Sequence, residues 1–185
     1  KRTRAATQHV RRSLWPKSGK DEVPDGMNKA QDMLTAVPAR RRSAARLAAI
    51  QITYQALITG QSAADFVPQF LSHYAAEVSK SFRVKDLDDP HLTHLYAGVA
   101  SGQADLDLLI GEALSDGWSV ERLARIELAV LRCGAFELTV MPHIPARAVV
   151  SEYAALSDAC GCEVGFVNAV LDGLARGARI VEMQS

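Results

Sequence analysis

From Pro38 onward, apolar residues recur at intervals of three and four, the spacing that lines one face of a helix. Leu47, Ile50, Tyr54, Leu57 and Ile58 mark a first helix of about five turns, which Gly60 ends. Ser62-Ala-Ala-Asp65 has the form of a capping box and opens a second helix between Ala63 and Val78. Pro68 complicates that start, because proline fits only the first turn. Asp89-Pro90 pairs a cap residue with a proline at the first helical position. The stripe Leu92, Leu95, Tyr96 and Val99 follows, and Gly102 stops it. Leu106, Leu109, Ile110 and Leu114 give the next helix, up to Gly117. Ser119 can cap a long segment carrying Leu123, Ile126, Val130, Cys133, Phe136 and Val140, which reaches Met141. Pro145 opens another helix, with Val149, Tyr153 and Leu156 inward, ending near Gly161. The last runs from about Val164 to Arg176, with Val167, Val170, Leu171 and Leu174 inward. No stretch shows the period-two alternation of a hairpin, and no fixed-length repeat suggests a solenoid. The pattern predicts an all-α bundle of about seven helices joined by short loops.

Composition agrees with a globular chain: of 185 residues, 48% are hydrophobic and 23% charged. No apolar run approaches the ~18–20 residues of a membrane helix. Three cysteines, Cys133, Cys160 and Cys162, are too few for a disulfide framework, and the expected compartment is the reducing cytoplasm. The net charge of zero hides a division. Residues 1–46 carry twelve Lys and Arg against four Asp and Glu, and residues 47–185 carry nine against seventeen. A basic arm with net +8 therefore precedes an acidic body with net −8. Such asymmetry suits an arm that meets a polyanion and a body that meets something else. Pro16, Gly19, Pro24 and Gly26 break any regular element in the arm. The division expected is a flexible basic extension over residues 1–37 and a helical domain over 38–185.

Enzyme chemistry has little support. His91 and His94 are three residues apart, but two histidines make half a metal site and no HExxH pattern surrounds them. Cys160-Gly-Cys162 lacks a second cysteine pair and reads as small buried residues at a helix end. There is no glycine-rich phosphate loop and no GxSxG elbow. The expectation is a protein without catalytic residues, metal or cofactor. The cluster Arg40, Arg41, Arg42 and Arg46 is different. Four cations at a helix start oppose the helix dipole, so an anion there would relieve them. Guanidinium forks suit phosphate and can stack on bases, which points to RNA.

The run Arg41-Arg42-Ser-Ala-Ala-Arg46-Leu-Ala-Ala-Ile-Gln51-Ile-Thr-Tyr54 resembles the opening of the NusB transcription antitermination family. The likeness continues through Leu95-Tyr-Ala-Gly98-Val99 and Arg125-Ile-Glu127-Leu-Ala-Val-Leu131-Arg132-Cys-Gly-Ala-Phe136-Glu137-Leu138. It extends over Ile144-Pro145 and Ser151-Glu152-Tyr153 to Phe166-Val167-Asn168-Ala-Val-Leu171-Asp172. The order and spacing of these blocks over about residues 40–176 make the match specific. The resemblance implies a fold of two packed helical subdomains and a non-catalytic protein. It also implies binding of boxA in nascent ribosomal RNA transcripts together with NusE, a small-subunit ribosomal protein, within a larger assembly of Nus factors on RNA polymerase.

Carried over by position, Arg40, Arg41, Arg42, Arg46 and Gln51 would bind RNA at the first helix, and Phe166 and Asn168 beside its path. Tyr54, Glu127 and Glu163 would face the protein partner. Two departures stand out. Gly165 occupies a place where the family often has Lys or Arg, and the loop from Asp158 to Phe166 is about two residues shorter than the common form. Two rival readings are a helical adaptor or homodimer whose arginines serve protein contacts, and the RNA-binding domain of an RNA methyltransferase.

Overall fold

A computed structural model describes residues 37–184. Helix α1 spans Val37–Thr59, α2 Ala63–His73 and α3 Ala75–Ser81. Helix α4 spans Asp89–Ser101 and α5 Gln103–Ala113. A 3₁₀ turn at Val120–Arg122 precedes α6, Arg125–Val140. Helix α7 spans Ala146–Ala159, α8 Val164–Ala178 and α9 Ile180–Gln184. The expected extension over residues 1–37 lies almost wholly outside the described residues.

Most boundaries follow local chemistry visible in the sequence. The Ser62 hydroxyl accepts from the Asp65 amide at 3.2 Å and caps α2. Gly60 and Gly161 take φ of 75° and 71° just beyond α1 and α7, where a left-handed residue ends a helix. Three expectations need correction. The second predicted helix is two, parted at Tyr74. Pro68 sits inside α2, tolerated there because Phe66, Val67 and Phe70 bury the helix on its neighbours. The cap of α4 is Asp88, which accepts from the His91 amide, so Pro90 is at the second helical position. Finally, Ser119 starts only the 3₁₀ turn. Leu123 and Ala124 are extended, and α6 begins at Arg125 with the Glu127 carboxylate accepting from the Ala124 amide at 3.2 Å.

Two helices organise the rest. Helix α1 packs on α4 and α6, with α2 and α3 completing the first subdomain. Helix α6 packs on α5, α7 and α8 to form the second. The two meet where α1 and α4 cross α6. Residues from Ser43 to Tyr54 are buried nearly all round α1, as expected for a helix between two layers. Alanines at 44, 45, 48 and 49 let the neighbours approach. The carbonyls left open at the end of α6 are taken by Arg179, which donates to the Leu138 and Met141 carbonyl oxygens at 2.7 and 2.9 Å.

Helix α4 approaches α6 closely at Gly98. A Cβ built there would lie 2.0 Å from the Phe136 ring. Gly98→Ala is expected to destabilise the protein by about 1–3 kcal/mol through overpacking. Urea unfolding should show a lower midpoint with an unchanged slope.

Candidate nucleic-acid interface

The start of α1 forms a basic lip. It carries no acidic residue in its first turn. Arg40, Arg41 and Arg42 are each part-exposed there. The loop between α3 and α4 folds against this turn. Arg41 Nε lies 2.7 Å from an Asp86 carboxylate oxygen, and Arg41 Nη2 donates to the Leu87 carbonyl oxygen at 3.0 Å. The Asp88 amide donates to the Arg41 carbonyl oxygen, and Arg42 Nε lies 3.5 Å from the Asp88 carboxylate. Part of the relief expected from an external anion therefore comes from the protein's own loop. The side chains of Arg41 and Arg42 remain 41% and 42% exposed, so each can still face a phosphate.

Arg46 does not belong to the lip. It is 4% exposed and its guanidinium is clasped by Glu137, itself 0% exposed, on α6. Arg46 Nε donates to both Glu137 oxygens at 3.1 and 3.0 Å, and Nη2 donates to Oε1. Arg46 Nη1 reaches Glu152 on α7 at 3.3 Å. The Tyr153 hydroxyl donates to Glu137 at 3.0 Å, and His91 Nε2 lies 3.5 Å from the same carboxylate. Burial would raise the Glu137 carboxyl, but the hydrogen bonds and charges of His91 and Arg46 outweigh it and hold its pKa at about 2. Burial likewise works against the Arg46 charge, and the bond and charge of Glu137 override it and raise that pKa. The assignment of Arg46 to RNA is corrected: it is an ionic clasp between the subdomains.

Gln51 and Tyr54 are corrected for a related reason. They are 2% and 4% exposed, so neither is open to RNA or to a protein surface. Tyr54 lies on the apolar stripe of the helix, whereas Gln51 lies off it and is buried because α1 is covered on two sides by α4 and α6.

The remaining expected residues lie at the other end of α6. Phe166, half-buried at the start of α8, packs on Trp118 with ring centroids 5.5 Å apart. Trp118 is 50% exposed and has the Arg122 guanidinium 5.5 Å from its centroid. Asn168 is exposed on the first turns of α8. Glu163 is exposed and caps α8, accepting from the amides of Gly165 and Phe166. A Cβ at Gly165 would come within 3.3 Å of that carboxylate, which gives the glycine a local reason. Glu127 is half-buried and closes the first turn of α6. Twelve residues separate Arg125 from Glu137, so the Phe166 end and the Arg46 end of α6 stand about 18 Å apart. The site residues form two patches, not one.

Lys80, Arg83 and Lys85 were missed by sequence reasoning. All three are exposed on or beside the loop bound to the lip. The signal was three cations within the six residues Lys80-Ser-Phe-Arg-Val-Lys85. Elsewhere, His94 stands edge-on to Phe136 rather than beside another ligand. Burial pushes the thiols of Cys133 and Cys162 up to about 12 and that of Cys160 well above its ordinary value, against thiolate chemistry.

Comparison with known proteins decides the family. The model of the NusB family matches residues 43–176. The chain belongs to the NusB family. The Transcription antitermination protein NusB of Nitrobacter hamburgensis is 43% identical over 146 residues, covering 78% of this chain and 91% of that protein. The protein of the same name from Bradyrhizobium diazoefficiens is 41% identical over 154 residues, 82% of this chain and 93% of its own. A solved structure of T. maritima NusB superposes with a TM-score of 0.60 at 24% identity, covering 79% of this chain and 97% of that one. That last likeness bears on the fold, which is the NusB arrangement of helices. Among the described residues, no helix is long and apolar enough to cross a membrane.

Proposed function

We propose that this chain is a transcription antitermination factor. It binds single-stranded boxA RNA through the lip at the start of α1, with NusE as its protein partner, and joins other Nus factors on RNA polymerase in the cytoplasm. Its work is binding rather than catalysis. The observation that carries the reading is that a NusB-family body presents part-exposed arginines, Arg40, Arg41 and Arg42, at one helix start. Arginines so grouped suit phosphate oxygens. The net −8 of residues 47–185 suits a basic protein partner by electrostatic complementarity. Glu127 and Glu163 would meet that partner, and Phe166 and Asn168 would lie beside the RNA, the ring stacking on a base. Residues 1–37 would add phosphate contacts without sequence preference.

The test is fluorescence anisotropy with boxA and scrambled RNA, with and without NusE. Preference for boxA should sharpen when both proteins are present. Arg40→Ala and Arg42→Ala should each weaken binding and lower the log–log salt slope by about 0.7, the value of one lost single-strand phosphate contact. Equal affinity for boxA and scrambled RNA with NusE present would sink the reading.

A further inference from the structure

We infer that the loop joining α3 to α4 is a second arm of the RNA surface, in which Arg83 and Lys85 contact phosphates. This rests on the RNA-binding reading above. The first observation is backbone strain. The chain reverses after α3 through amide bonds from Arg83 to the Lys80 carbonyl oxygen and from Val84 to that of Ser79, both 3.0 Å. Arg83 lies at that turn with φ of 53°. It is the non-glycine residue with positive φ among the described residues. Glycine takes such a helix-ending position without strain, and a side chain resists it. The Arg83 side chain is exposed, so the core does not require it. Strain kept where packing does not ask for it points to a task at the surface.

The second observation is placement. Leu87 is buried and Val84 partly so, whereas Arg83 and Lys85 are exposed. This alternation seats the loop on the body and leaves its cations outward. Lys85 directly precedes Asp86, whose carboxylate holds Arg41 at 2.7 Å. Asp86 and Asp88 are engaged by Arg41 and Arg42. Lys85, adjacent to Asp86, extends the cationic lip beyond α1, and Arg83 stands exposed two residues further along the same loop. Exposed cations in succession suit the phosphates of a single strand.

Three variants test this in the full chain against boxA RNA: Arg83→Ala, Arg83→Gly and Lys85→Ala, with Arg42→Ala as the reference for the lip. Arg83→Ala should weaken binding about tenfold at low salt, as loss of a charge-assisted hydrogen bond does. The salt slope should fall by about 0.7 for each cation removed. Arg83→Gly should lose as much affinity yet melt at a higher temperature than Arg83→Ala, because glycine relieves the turn. A residue serving the fold alone would move melting temperature and leave RNA affinity alone. If Arg42→Ala weakens binding while the Arg83 and Lys85 variants keep wild-type affinity and slope, the loop inference is overturned and the lip reading stands. If the loop variants instead weaken NusE binding and spare RNA, the loop is a protein contact and the inference also falls. If the wild-type protein does not prefer boxA, both fall together.

Discussion

Replacing Glu137 by glutamine is expected to destabilise the protein by about 3–5 kcal/mol, the cost of leaving a buried charge without its partner. Arg46 would keep its charge at 4% exposure with only Glu152, at 3.3 Å, to balance it. The Tyr153 hydroxyl and His91 would lose the carboxylate that they now share with Arg46. Because α1, α4, α6 and α7 all contribute to this cluster, the loss falls on the junction of the two subdomains. Urea denaturation measures it. A double variant, Arg46→Met with Glu137→Leu, should lose less than the sum of its single changes, because no unpaired charge remains. A glutamine variant within about 1 kcal/mol of wild type would show that the clasp contributes little.

Acid is expected to weaken the same junction. In the unfolded chain the Glu137 carboxyl titrates near its ordinary 4.5, and in the folded protein at about 2. The unfolded state therefore binds the proton more readily. The stabilisation is complete above about pH 4.5, declines as pH falls, and is gone below about pH 2. Its size is about 3 kcal/mol, from 1.36 kcal/mol for each unit of difference. Unfolding free energies measured from pH 6 down to pH 2 should show this slope in the wild type. Glu137→Gln should remove that share of it.

The helices were readable because their ends are written in local residues. Ser62, Gly102, Pro145 and Gly161 each mark a boundary that the structure keeps within a residue or so. The breaks at Tyr74 and at Leu123-Ala124 carry no such marker. Periodicity alone runs through them. The site was less legible for one physical reason. Arg40, Arg41, Arg42 and Arg46 look equivalent along the chain, but each residue advances about 1.5 Å along the axis, so the four to six residues before Arg46 carry a side chain from the open helix start into the packed middle. Arg46 falls opposite Glu137, a pairing across 91 positions that no local pattern announces. Gln51 was misplaced because nothing local says that α1 has two covered sides; Tyr54 lies on the apolar stripe, and only the resemblance gave it a partner role. The three cations of Lys80–Lys85 are visible along the chain, but the backbone angle that sets Arg83 apart is not.

The separation along α6 also sets a length scale for whatever lies across the protein. Arg46 pairs with Glu137 and Thr53 with Cys133, so α1 runs antiparallel to α6 and the lip lies beyond the Glu137 end; a strand touching both the lip and the Trp118–Phe166 patch must bridge about 18 Å or more. At a stacked rise of roughly 3.4 Å per nucleotide, that is about five nucleotides. Shorter stacked fragments reach one end or the other, so the rigid helix works as a ruler for a stacked strand.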